Sequence, residues 1–133
     1  MAFDYGKKRT GIAVTDPLKI IANPLETVET DQLLDFVGKY IRQEAIECFV
    51  VGDPRNLDNS PSEISAQVSR FVGALTLKYP EIPVARVDER FTSKIAAQTI
   101  LAAGKNKKAR RDKSLVDKVS AVIILQSYLE SIS

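Results

Sequence analysis

Apolar positions along this chain switch between the two-residue period of strands and the three-to-four-residue period of helices, and the switches mark its elements. Ala2 to Tyr5 and Thr10 to Thr15 read as two strands. Between them, Gly6-Lys7-Lys8-Arg9 is a basic hairpin turn in which glycine supplies the tight backbone. Asp16-Pro17 breaks the second strand. A third extended segment, Ile20 to Glu29, carries Ile20, Ile21, Leu25 and Val28 around Pro24, the pattern of an edge strand with a bulge. Three antiparallel strands are therefore expected to open the domain.

The period then lengthens. Thr30 is a candidate N-cap for a helix carrying Leu33, Leu34, Val37, Tyr40 and Ile41, which should end near Ala45. Ile46 to Gly52 is a continuous apolar run of strand length, as a parallel strand covered on both faces requires. After the turn-rich segment Asp53 to Asn59, Ser60-Pro61-Ser62-Glu63 supplies a cap, a first-turn proline and a reciprocal glutamate. The helix it starts carries Ile64, Val68, Phe71, Val72 and Leu75 and stops before Pro80. Pro83 to Glu89 reads as a further strand. Adjacent strand residues point to opposite faces, so either Asp88 or Glu89, but not both, can serve one face. Thr92 or Ser93 caps a short helix ended by Gly104, and Ser114 begins a final helix through Val119, Val122, Ile123, Leu125 and Leu129 to about Ser131.

Composition narrows the chemistry. The 133 residues suit one domain with a real core, 1–133, and 44% hydrophobic with 27% charged residues is ordinary for a soluble globular protein. With no signal peptide and no long apolar run, a cytoplasmic protein without membrane contact is expected. Cys48, the single cysteine, reads as a buried small hydrophobe among Ile46, Phe49, Val50 and Val51. The absence of histidine removes Ser-His and Cys-His nucleophilic machinery and, with one cysteine, any ordinary zinc site. Acid-base or metal chemistry must then come from Asp, Glu, Lys or Tyr. Net charge is only +2, but Lys105 to Lys113 holds six bases and one acid, a local +5 that leaves the rest of the chain at −3. Polyanion binding is expected to concentrate there, on Lys105, Lys107, Lys108, Arg110 and Arg111.

One acid is planted inside the first strand. Ala2, Phe3 and Tyr5 around Asp4 suit a buried pleated surface, where an unpaired carboxylate is costly and needs a partner. Glu89 and Asp117 occupy comparable settings far along the chain, and three converging carboxylates make a site for hard divalent cations. Phosphodiester hydrolysis needs an activated water and a neutralised leaving oxygen, which a pair of magnesium ions about 4 Å apart provides. A central strand acid can bridge both ions, and a neighbouring strand-end acid and a helix acid can each hold one.

Each acid also has a plainer reading. Asp4 could accept hydrogen bonds from the turn amides that follow it. Glu89 stands in Asp88-Glu89-Arg90, an ordinary strand-end charge cluster, and Asp117 closes a capping box that Ser114 opens. Against this, Asp117 shares a helix face with Ala121, Ile124 and Tyr128, and small Ala121 would let that helix approach the sheet closely. Asp16, Asp53 and Asp58 stand beside Pro17, Pro54 and Asn59, where turn formation explains them better. The Lys7-Lys8-Arg9 turn lies at the end of the strand where a phosphate backbone would meet Asp4.

Four ordered segments now carry a resemblance over essentially the whole chain. Asp4-Tyr5-Gly6-Lys7-Lys8-Arg9-Thr10-Gly11, Val51-Gly52-Asp53-Pro54, Val87-Asp88-Glu89-Arg90-Phe91-Thr92-Ser93, and Val116 to Ala121 with Ile124-Leu125-Gln126 resemble the signatures of the YqgF family. Its members are described as pre-16S rRNA nucleases and Holliday junction resolvase-like proteins. The resemblance implies an α/β ribonuclease H-like fold, a five-stranded mixed sheet with three strands antiparallel, two parallel, and helices on both faces. It also implies Asp4, Glu89 and Asp117 as catalytic carboxylates. The sequence departs from the family in two places: the Asp53 to Ser60 loop lacks a glycine before its serine and has Asp53 for an apolar residue, and only three residues precede Asp4.

The preferred expectation is a Mg2+- or Mn2+-dependent nuclease acting on structured nucleic acid, pre-rRNA or branched DNA, as a monomer or homodimer. Asp4, Glu89 and Asp117 would hold the metal, and Lys7, Arg9, Arg90 and the Lys105 to Lys113 loop would hold phosphates. Maturation of the 5′ end of pre-16S rRNA leads, with Holliday junction cleavage and a non-catalytic nucleic-acid-binding module as alternatives. Asp4-Tyr5-Gly6 with Thr10-Gly11 is also similar to the first phosphate-binding hairpin of actin-like ATPases, but that architecture needs two such domains.

Overall fold

The computed structural model describes residues 1–16, 18, 21–53, 64–88 and 113–132, with side chains of the last segment from residue 118 onward. Five strands, β1 (Ala2–Asp4), β2 (Arg9–Thr15), β3 (Ala22–Glu29), β4 (Phe49–Asp53) and β5 (Val84–Asp88), form one sheet in the order β3-β2-β1-β4-β5. β2 runs antiparallel to both β1 and β3, whereas β4 is parallel to β1 and β5 to β4. The helices described are α1 (Leu33–Gln43), α2 (Ser65–Lys78) and α3 (Lys113–Ile132). This is the mixed sheet with helices on both faces expected of a ribonuclease H-like fold. No described helix is long and apolar enough to cross a membrane.

The two faces of the sheet are built from different side chains. Phe3, Ile12, Phe49 and Val51 meet Leu33 and Val37 of α1 and Val68, Phe71 and Leu75 of α2. Phe3 contacts Phe49 at 5.9 Å and, in a T-shaped pair, Phe71 at 5.2 Å between ring centroids, a favoured aromatic arrangement. The other face is thin: Ala2, Ala13, Ala22 and Val50 meet Ala121, Ile124 and Leu125 of α3. Small residues on both sides let α3 lie close to the sheet. The helix face read from sequence is thus the inward one at Ala121, Ile124 and half-buried Tyr128.

Several element ends differ from the sequence reading. The edge-strand bulge is present, as the β2–β3 register shifts between Ile12 and Ala13, opposite Glu26 and Pro24. β4 begins at Phe49, three residues later than expected, with Ile46 packed against the core from outside the strand. Thr30 is not a helix N-cap. It opens a 3-10 turn, Thr30–Gln32, before α1, and its hydroxyl is engaged across the sheet instead. Cys48 is half-buried rather than buried, its thiol donating to the Phe49 carbonyl at 3.3 Å and lying 3.7 Å from the Tyr128 hydroxyl. Beside it, burial pushes the Met1 α-ammonium down to about 6, and that group donates to the Cys48 carbonyl at 3.1 Å. The capping box at 60–63 and the helix expected over 92–103 lie outside the described residues.

Because Ala121 is fully buried against an alanine-lined face, Ala121→Leu should overpack the α3–sheet contact and destabilise the fold by about 1–3 kcal/mol. Urea unfolding measures this, and a midpoint equal to wild type would show that α3 is not closely seated.

Candidate functional site

Asp4 is the last residue of β1, paired in register with Gly11 of β2 and following Phe3, which pairs with Val51 of β4. β1 is thus hydrogen-bonded on both sides at the centre of the sheet. Ala2 belongs to the α3 face and Phe3 to the opposite one, so alternation puts Asp4 on the α3 face, where it is half-buried. Gly11 beside it adds no side chain.

A clamp holds the turn that follows. The Thr30 hydroxyl donates to the Gly6 carbonyl at 2.6 Å and lies 2.9 Å from the buried Thr10 hydroxyl, and the Thr30 amide donates to the Lys8 carbonyl at 2.9 Å. Three chain segments, the turn after β1, the body of β2 and the end of β3, are thereby tied at one point. Lys7, Lys8 and Arg9 are exposed, so the clamp fixes the backbone of a turn whose cations face solvent. A Cβ on Gly6 would run into the Arg9 carbonyl oxygen, which is why the tight return needs glycine here.

The other predicted positions divide. Asp117 lies in α3 one turn before Ala121, the residue buried against the alanine-lined face that Asp4 shares, and its side chain is outside the described residues. Glu89, Arg90, Lys105, Lys107, Lys108, Arg110 and Arg111 also lie outside them. Among the described residues, no three metal-ligating side chains come together. β5 nonetheless separates the adjacent acids. Val84 packs on the α1–α2 side and Val87 on the α3 side, so Asp88 belongs with Val84, away from the face of Asp4.

Two turn aspartates resolve differently. Asp16 accepts the Ile21 amide at 2.8 Å, a turn-forming role as expected. Asp53 ends β4 as the register partner of Asp88, its carboxylate accepts a hydrogen bond from the Arg86 guanidinium at 3.2 Å, and the turn expected after it lies outside the described residues. Both side chains are partly exposed, so this pair orders the strand ends more than it stabilises them. Sequence reasoning missed it because Arg86 and Asp53 meet only through the β4–β5 register.

The glycines give a paired test of the turn. Gly6→Ala should destabilise the protein by displacing the Arg9 carbonyl, whereas Gly73→Ala, in α2 with nothing within 4 Å of the added methyl, should stabilise it by about 0.5–1 kcal/mol. Thermal unfolding of both variants checks the contrast, and a Gly6→Ala protein as stable as wild type would remove the close-approach argument.

Comparison with known proteins agrees with this geometry. The family described as "RuvX: Holliday junction resolvase" matches residues 1–131. A protein from Phocaeicola vulgatus named "Putative pre-16S rRNA nuclease" is 56% identical over 131 residues, covering 98% of this chain and 94% of its own length. Proteins of the same name from Porphyromonas gingivalis and Bacteroides thetaiotaomicron are 55% and 52% identical, each covering 98% of this chain and 95% of its own length. With the ribonuclease H-like sheet, a central strand acid and near-complete coverage by the family, this chain belongs to the RuvX (YqgF) family.

Proposed function

We propose that this protein is a divalent-metal-dependent nuclease that hydrolyses phosphodiester bonds in structured nucleic acid, with 5′-end maturation of pre-16S rRNA as its role. The observation that carries the reading is Asp4: a carboxylate at the end of the central strand, on the thin α3 face, directly before a clamped basic turn. The relatives named as pre-16S rRNA nucleases favour RNA as substrate. Acting on pre-rRNA would make the protein cytoplasmic.

Asp4, Glu89 and Asp117 would hold Mg2+ or Mn2+, since a histidine-free set of carboxylates offers the oxygen donors that hard cations take. When bound, such ions activate a water and neutralise the leaving oxygen. The structure supports the trio through side-chain parity and helix position. Asp88 is on the face opposite Asp4, which favours Glu89 as the strand acid, and Asp117 is one turn from the residue that seats α3 on the Asp4 face. Asp4 orients from a strand held on both sides, so its carboxylate enters the reaction already positioned. Lys7, Arg9, Arg90 and the bases between Lys105 and Lys113 would hold phosphates and set the register of the substrate.

The family description favours one second reading, cleavage of four-way DNA junctions. Two symmetric cuts then call for a twofold dimer, which an RNA-processing nuclease does not need.

Cleavage of a pre-16S rRNA fragment beside a four-way junction, with magnesium and with chelator, tests both readings. Wild type should cut the RNA only with magnesium, and Asp4→Asn should lower the rate by at least about a hundredfold while still binding. Wild-type-like turnover by Asp4→Asn would take Asp4 out of the mechanism, and binding without metal-dependent cleavage of either substrate would leave a non-catalytic module. Neutralising Lys107, Lys108, Arg110 and Arg111 together should weaken binding across sequences and flatten its salt dependence, each lost phosphate contact changing the logarithmic slope by about 0.7–0.9. A salt titration of affinity reads this directly, and an unchanged slope would exclude the loop from the interface.

A further inference from the structure

The end of the sheet that carries Asp4 has a second feature on its opposite face. A cavity of about 340 Å3 opens between α1 and α2, lined by Tyr5, Leu34, Gln67, Arg70, Phe71 and Ala74 among others. That volume lies at the lower end of the range that small ligands fill, about 300–1,000 Å3. Its floor is aromatic: the rings of Tyr5 and Phe71 lie 5.2 Å apart at 32°, and Phe71 also packs in a T-shaped contact with Phe3. Exposed Arg70 and half-buried Gln67 stand at its rim, and neither makes a hydrogen bond or ion pair with another described residue. The Thr30 hydroxyl at its edge is already committed to Gly6 and Thr10. Lys7 and Lys8 are exposed in the turn that follows Tyr5.

These groups have the chemistry of a nucleobase site. Unpaired bases stack on aromatic rings and guanidinium planes and are read by hydrogen bonds to their edges. A glutamine amide offers both donor and acceptor for such an edge, and an arginine favours phosphate. Position adds a second argument. Asp4 and Tyr5 are consecutive, with Cα atoms about 3.8 Å apart, yet their side chains serve opposite faces of the sheet. A nucleic-acid strand crossing this end of the sheet can therefore present a phosphate on the Asp4 side and a neighbouring base on the Tyr5 side. A base inside a continuous duplex cannot do so without leaving its stack.

We propose that this groove takes one unpaired nucleotide of the substrate, its base against Tyr5 and its phosphate toward Arg70 and Lys7. The inference rests on the nuclease reading and deepens it, by making an unpaired nucleotide beside the scissile bond the feature recognised.

The test uses the full chain and two RNA hairpins, one fully paired and one carrying a single unpaired 2-aminopurine, titrated in chelator. Wild type should bind the second about tenfold more tightly and quench its fluorescence. Ala74→Trp, which fills the groove, and Arg70→Ala should each bring that ratio toward one, with circular dichroism confirming the fold. Tyr5→Leu keeps an apolar contact to Phe71 and should lose the quench. Equal affinity for both hairpins, or a preference untouched by Ala74→Trp and Arg70→Ala, overturns the proposal and leaves the groove to another occupant, such as an apolar side chain of a protein. Because binding is read without metal, the two readings fail separately. A preference without cleavage once magnesium is restored keeps the groove and removes the nuclease, whereas equal binding and equal cleavage of both hairpins does the reverse.

Discussion

Side-chain alternation in a strand that cannot slip is the constraint on which the site depends. β1 is only three residues long, but β2 and β4 hydrogen-bond it from both sides. Its register is set by hydrophobic burial. Phe3 must lie among Phe49, Phe71 and the α1–α2 residues, because the alanine-lined face has no volume for it. A one-residue shift would drive Phe3 into α3 and bury Asp4 among aromatic rings, a double penalty. The placement of the carboxylate is therefore a by-product of where the phenylalanine goes.

The thin face has a complementary use. Large side chains on the α1–α2 face supply most of the apolar burial, with Phe3, Phe49, Ile12 and Leu75 completely enclosed. The α3 face adds less, through Ala2, Ala13, Ala22 and Ala121, but its small residues bring a helix close to the strand end that carries Asp4. Beyond that end, Thr30 joins three segments through one hydroxyl and one amide, so the basic turn leaves the sheet in a defined direction. Stability is concentrated on one face, and proximity is arranged on the other.

Much of this was legible in the sequence because it follows from period. The five strands, the edge-strand bulge at Pro24, the inward face of Ala121 and Ile124 and the isolation of Asp4 in an apolar strand are all local patterns, and the structure has them. What was not legible depends on residues that meet only through the fold. Thr30 looks like an N-cap because a helix follows it, and nothing local reveals that Gly6 and Thr10 will compete for its hydroxyl. Asp53 reads as a turn residue beside Pro54, and nothing local reveals that the β4–β5 register also brings Arg86 to it. The choice between Asp88 and Glu89 was open in the sequence because alternation gives parity without a phase. Val84 and Val87 give the phase for Asp88, which falls on the α1–α2 face, whereas Glu89 lies outside the described residues.

Charged residues stand on both sides of Asp4 at the described end of the sheet. On the β1–β2 side stand Lys7, Lys8 and Arg9, all exposed. On the β4–β5 side stand Asp53 and Asp88, register partners, with Arg86 within 3.2 Å of Asp53. The exposed cations of the turn suit a phosphate backbone, and Arg9 stands opposite Glu29 in the β2–β3 register. Asp4 lies between the two sides, at the end of the central strand. The groove beside Tyr5 is bordered by Arg70 of α2, the helix that packs on β4 and β5. Asp4 and the groove beside Tyr5 thus stand on opposite faces at the same end of the central strand, because consecutive strand residues alternate.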